Sequence, residues 1–308
     1  MNFSRTLLSL LALFLAFSSF GQSDSPFDRL IEETNRYLTQ YGEVEVFGGY
    51  YAIQDLDLTA EEKSELLTEH DFDTALTPKK DSIQAFHLIE FLQDKVTGGL
   101  LRITEHEGFA EHPIENELNS DVLEILVSED RKLFIFSFDM KNGGTYKGEI
   151  AMMFYEGLGN SESNSTAFSQ IRREGVYEIH TLNSQEGKKY LLVGGIVGCA
   201  TCYESFVQLI QPKGDKLESQ FAYALNLRNG WDNPIEFDPE TQRISAEYET
   251  DDLTTECVCE DQSDDEESYL YNQTENSQMK KCRCIFEFNG STFELVDSKA
   301  RLINGSKD

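Results

Sequence analysis

The sequence predicts an α+β fold that is mainly β. An antiparallel β-meander, laid out as an open sheet or as propeller-like blades, follows a small helical N-terminal region. Three observations carry this prediction. Between Pro26 and about Lys95 apolar residues recur at the three- and four-residue spacing of a helix. From about Asp121 the period shortens to two. Turn-rich separators, as in Asn183 to Gly187, Pro212-Lys213-Gly214-Asp215 and Asp238-Pro239-Glu240, then cut the chain into strand-length pieces. The implied organisation is a signal peptide over 1–21, a mostly helical region over 22–118, and a β-domain over 119–308 with an acidic loop at 260–281.

The leader is read from its charge and its apolar run. Arg5 and the amino terminus precede a mostly apolar stretch from Leu7 to Phe20, and Ser19-Phe20-Gly21 supplies small residues before a cut that leaves Gln22 first. This is the pattern of a secretory signal peptide. The run is shorter than the ~20 residues needed to cross a bilayer. The mature chain is therefore expected to lack a transmembrane segment and to be exported to the periplasm, the cell surface or the medium.

Each helix has a local reason to form. Ser25 is a cap with Pro26 at the first position, and Phe27, Leu30, Ile31, Leu38 and Tyr41 fall on one face before a stop at Gly42. Thr59-Ala60-Glu61-Glu62 is a capping box opening a short second helix to about His70. A third is expected over Ser82 to Lys95, ended by Gly98-Gly99.

The strands begin with a hairpin, Val122 to Val127 and Lys132 to Asp139, around the turn Ser128-Glu129-Asp130-Arg131. Phe134, Phe136 and Phe138 point one way and Leu133 and Ile135 the other, so this strand is expected to be central. Further strands are expected at 147–155, 176–182, 189–197, 204–211, 217–225 and 243–249, and the polar stretch Gly159 to Ser165 as an exposed loop. Asn289-Gly290 suits a two-residue type I′ turn, which would set Phe286 opposite Phe293. The run Lys132 to Asp139 with Gly143-Gly144-Thr145, followed by Tyr177 to His180 and Gly187 to Leu191, resembles a segment of uncharacterised secreted bacterial proteins. The resemblance spans about residues 120–215; it implies an exported, strand-rich protein and carries no information on catalysis.

Composition limits the partners. The 308 residues hold 26 Lys+Arg against 56 Asp+Glu, a formal charge of −30. Nucleic-acid binding calls for clustered cations, and an anionic membrane surface would repel such a chain. High like charge favours a monomer. The expected partner is a protein or a glycan.

Six cysteines fall in three pairs: Cys199 with Cys202, Cys257 with Cys259, and Cys282 with Cys284. An even count in an exported chain favours disulfides. Opposed residues on antiparallel strands have a constant sum, which predicts Cys257–Cys284 and Cys259–Cys282, with Cys199–Cys202 closing a hairpin tip. Two alternatives stand beside this. Four thiolates can hold Zn²⁺, and Cys199-Ala200-Thr201-Cys202 has the spacing of a redox dithiol.

Asp261, Asp264, Asp265 and Glu267 lie in the carboxylate-rich stretch and are the candidates for Ca²⁺, whose ligands are oxygens. They miss the EF-hand pattern, with Glu266 where the turn needs Gly and Asn272 where a bidentate Glu belongs, so a solvated loop is preferred. His106-Glu107 and His112 are too far apart for the zinc-peptidase helix motif. No nucleophile elbow, phosphate loop or dinucleotide fingerprint occurs. The functional expectation is an exported acidic protein with a non-catalytic binding or structural role and no cofactor. The alternative is a hydrolase acting on glycans or peptides through carboxylates or a metal in a cleft at a sheet end.

Overall fold

Both predicted helix caps form as local chemistry dictates. In the computed structural model, which describes residues 25–69, 82–144, 148–228, 233–250, 253, 256–260, 270–271 and 278–304, helix α1 spans Pro26–Glu43. The Asp28 N–H donates to Ser25 Oγ at 3.0 Å and the Ser25 N–H to Asp28 Oδ2 at 2.9 Å. Helix α2 (Ala60–Glu69) repeats the device, with Glu62 N–H to Thr59 Oγ1 at 3.2 Å and Thr59 N–H to Glu62 Oε2 at 2.6 Å. At its other end α1 meets a cation: Lys141 Nζ donates to the carbonyls of Tyr41, Gly42 and Val44. These include carbonyls that a helix C-terminus leaves unpaired and partly negative.

The third helix departs from its predicted bounds. Ser82–Gln84 is a strand, β2, paired antiparallel with β1 (Tyr50–Ala52), and helix α3 runs from Ala85 to Glu105 straight through Gly98-Gly99. Tertiary packing outweighs propensity here. A Cβ at Gly99 would lie 2.5 Å from Oγ1 of the fully buried Thr34 on α1, whereas one at Gly98 meets nothing within 4 Å. The neighbours should therefore respond with opposite signs in urea unfolding. Gly98→Ala should stabilise by about 0.5–1 kcal/mol, and Gly99→Ala should destabilise by about 1–2 kcal/mol despite the same gain in propensity.

The β region consists of three meanders stacked face on face. The first sheet is β3 (Glu124–Val127), β4 (Leu133–Asp139), β5 (Glu149–Tyr155) and β6 (Gly159–Asn160) in chain order. The second is β7 (Val176–Ser184), β8 (Gly187–Val197), β9 (Cys202–Lys213) and β10 (Lys216–Arg228). The third begins with β11 (Ile235–Asp238) and β12 (Arg243–Thr250). A two-residue β13 (Leu270–Tyr271) then adds parallel to the end of β10, before β14 (Gln278–Phe288) and β15 (Phe293–Asn304) complete the third sheet. Each meander keeps open edges, so the described strands form stacked blades rather than one continuous sheet.

Three apolar layers hold the stack. Phe134, Phe136, Phe138 and Met152 face the helices, while Leu133, Ile135 and Met153 on the other face meet Tyr190, Leu192, Phe206 and Ile210 of the second sheet. Strand β4 is thus central, as its two apolar faces predict. The opposite face of the second sheet, with Leu191, Val193, Val207 and Leu209, packs on Ile244, Ala246, Phe286 and Phe288 of the third. A buried lysine pins these two sheets: Lys189 Nζ donates to Glu186 Oε2 at 2.9 Å and to the Ser291 carbonyl at 2.6 Å. The expected loop after Gly159 is partly interior, since Asn160 and Ser161 are buried and Asn160 Nδ2 donates to Thr104 Oγ1 at 3.2 Å.

Two registers correct the sequence reading. The β14–β15 turn has four residues, placing Phe288 rather than Phe286 opposite Phe293 and Phe286 opposite Leu295. Only Gly290 takes a positive φ, because Asn289 spends its side chain accepting the N–H groups of Ser291 and Thr292 at 2.8 and 2.9 Å. A type I′ turn needs both central residues left-handed.

The cysteine pairing is the second correction. Cys199–Cys202 forms as expected, but Cys257 bonds Cys282 and Cys259 bonds Cys284, not the reverse. A constant difference replaces the constant sum, so Cys257-Val258-Cys259 runs parallel to β14. The segment is not a ladder strand. It lies across the inner face of the third sheet, where the Val258 carbonyl accepts from Tyr223 Oη at 2.9 Å and its N–H donates to Tyr248 Oη. With no free cysteine, no thiolate set is left for zinc.

Candidate functional site

Surface chemistry concentrates at three places. The first is the β1–β2 ribbon. Phe47 is 89% exposed, Phe86 62% and Tyr50 40%. Isolated exposed apolar side chains are ordinary, but here three exposed aromatics lie on or beside one short ribbon, Phe47 just before β1, Tyr50 on it and Phe86 just after β2. Local geometry holds each of them out. The loop before β1 turns tightly, with Gly48 N–H donating to the Glu45 carbonyl at 2.9 Å and Gly49 at φ +77°. A Cβ at Gly48 would come 2.4 Å from Tyr51 Oη, itself the acceptor of the Glu45 N–H at 2.9 Å. Tyr50 pairs across the ribbon with Gln84, whose Nε2 donates to Tyr50 Oη at 3.0 Å. Phe86 sits in the first turn of α3 on the side away from buried Ala85, Leu88 and Ile89. Glu45 precedes Phe47 in the turn, Glu90 lies one helical turn after Phe86, and Lys141 bonds the Val44 carbonyl close by.

The second place is a pair of adjoining shallow hollows of about 280 and 140 Å³ at one end of the first and second sheets. Asp121, Glu124, Asp139, Glu149 and Glu174 line them, with Gly148 and Gly175 bringing backbone close. Glu149 Oε2 accepts the Gly175 N–H at 3.0 Å. Burial, and after it the like charge of Glu149, pushes the Glu124 carboxyl above its ordinary range.

The third is a network among the helices. Arg36 grips both oxygens of Glu62 at 2.9 and 3.0 Å, and Tyr37 Oη donates to Glu62 and, at 3.1 Å, to Glu33. Burial alone would raise the Glu62 carboxyl, but donors from Arg36, Tyr37 and Thr59 outweigh it and hold it down at about 2. Every charge in this network has a partner, and it ties α1 to α2; its chemistry is structural.

The candidates read from sequence fare unevenly. Asp261, Asp264, Asp265 and Glu267, like the signal peptide and His70, lie outside the described residues. His106 and His112 both rest on the ring of buried Phe27, with centroids 4.8 and 4.2 Å away, so packing accounts for them. Among the described residues no group of three or more His, Cys, Asp or Glu is placed to hold a metal ion. No described helix is long and apolar enough to cross a membrane. Periodicity does not single out the ribbon aromatics, although the run Phe47-Gly48-Gly49-Tyr50-Tyr51 contains a signal: bulky rings around paired glycines. Compared with protein-family models, with curated proteins and with solved structures, the chain finds no match.

Proposed function

We propose that the chain is an exported, non-catalytic binding protein that engages its partner through the aromatic ribbon. The observation that carries this is the outward presentation of Phe47, Tyr50 and Phe86. Aromatic side chains dominate recognition surfaces because they bury much area with few rotors. The three disulfides support an oxidising location outside the cytoplasm. The net negative charge of the chain favours a neutral or basic partner and opposes pairing of two copies.

The test compares the chain with a Phe47→Ser/Phe86→Ser variant. Both rings are exposed, so melting should stay within about 0.5 kcal/mol of the parent. Immobilised parent chain should retain specific glycans or proteins of its native compartment that the variant releases. Retention of the same species by both would sink the proposal. A second reading, a carboxylate hydrolase, draws on the raised Glu124 carboxyl beside Glu149. It predicts turnover on a glycan or peptide panel that Glu124→Gln abolishes with the ribbon intact.

A further inference from the structure

Four cations cluster on one sheet face of this acidic chain. On the outer face of the third sheet Lys281 stands directly opposite Arg301, and Arg283 directly opposite Lys299, all four exposed. Like charges facing across a strand pair weaken the pairing, and this chain has only 26 basic residues to place. Glu247 on β12 serves two of the cations, Lys281 at 2.9 Å and Arg283 at 3.2 Å, and Asp297 serves Lys299 at 2.6 Å.

The neighbouring edge is open. β15 has twelve residues and β14 as its one described neighbour. The register puts Leu295 and Leu302 on the face shared with Cys282 and Cys284, yet they are 49% and 57% exposed, with no described strand beyond β15. Charged residues on an edge strand commonly guard it against pairing. On interior β14 the matching cations stand opposite Glu249 and Glu247 of β12, so their charge is met within the sheet, and Lys299 and Arg301 are the cations at the open edge.

We propose that β15 accepts an extended acidic peptide of a partner protein as a fifth strand. Side chains two residues apart repeat every ~6.8 Å on both strands. A peptide with acidic residues at alternate positions therefore sets them opposite Lys299 and Arg301, and the apolar residues between them cover Leu302. Backbone hydrogen bonds to the open edge supply affinity, and the alternation supplies specificity. An anionic polysaccharide would meet the cations but not the edge, which is why a peptide is favoured.

The experiment uses the intact, disulfide-bonded chain and two fluorescein-labelled peptides of one composition. One alternates Glu and Val; the other groups all Glu before all Val. Anisotropy should show the alternating peptide binding at least about tenfold more tightly than the grouped one. Its binding should slow amide exchange in residues 295–302. Lys299→Glu/Arg301→Glu should weaken it at least about tenfold, and Lys299→Gln/Arg301→Gln should do so to a smaller extent with the melting curve unchanged. Equal binding of both peptides, or polygalacturonate competing as well as the alternating peptide, overturns strand addition in favour of a general anion surface. No binding at millimolar peptide overturns the proposal and leaves the charges as guards of the edge.

Discussion

The variant Cys257→Ser/Cys282→Ser is expected to keep two disulfides and no free thiol, since it removes one complete bridge and leaves Cys259–Cys284 intact. Under the constant-sum pairing the same variant would break two bridges and leave Cys259 and Cys284 without their partners. Intact mass before and after reduction, with thiol labelling, separates the outcomes. The energetics follow from loop closure. Each bridge spans a sequence separation of 25 residues, worth about 3–4 kcal/mol when it alone restrains the unfolded chain. With one bridge present the other closes only a short ring, so removing either should cost about 2 kcal/mol. Removing both should cost about 5–6 kcal/mol, more than twice as much. Equal and additive losses in non-reducing urea unfolding would show that the two bridges do not restrain the same segment.

Glu62→Gln should destabilise the chain by about 2–3 kcal/mol at neutral pH, because it removes the charge that Arg36 and Tyr37 surround. The pH dependence is the sharper check. In the fold the carboxyl titrates at about 2 against an ordinary 4.5. The folded state thus favours the ionised form, and the contribution is complete above about pH 4.5. It is lost as pH falls through 2, where parent and variant become alike at this position. Urea unfolding at pH 7, 4 and 2.5 should show the gap between them narrowing with acid. A gap of constant size would mean that the substituted amide disturbs packing and that the charge of Glu62 contributes nothing.

Local chemistry made a large part of this architecture readable in advance. The caps at Ser25 and Thr59 form because donor and acceptor lie three residues apart, within reach whatever the rest of the chain does. The hairpin at Ser128 to Arg131 and the central place of β4 follow from apolar alternation on both faces of one strand. The Cys199–Cys202 bridge is equally local. The candidate site was hardly readable. Phe47 and Phe86 lie far apart in sequence, and their exposure depends on which residues around them found a core.

What the sequence by itself determined about this protein is therefore its class, the approximate places of most strands of the β region and the starts of its first two helices, all set by contacts within a few residues. The tertiary structure decided the rest. It carried α3 through Gly98 and Gly99, the second of which lies where Thr34 of another helix packs in place of a side chain. It also laid Cys257-Val258-Cys259 parallel to β14, because the segment crosses the face of a sheet beneath Tyr223 and Tyr248 instead of joining its ladder. The periodicity of a segment records which of its faces is buried. It does not record the direction in which a distant segment crosses that face, since either direction buries the same side chains.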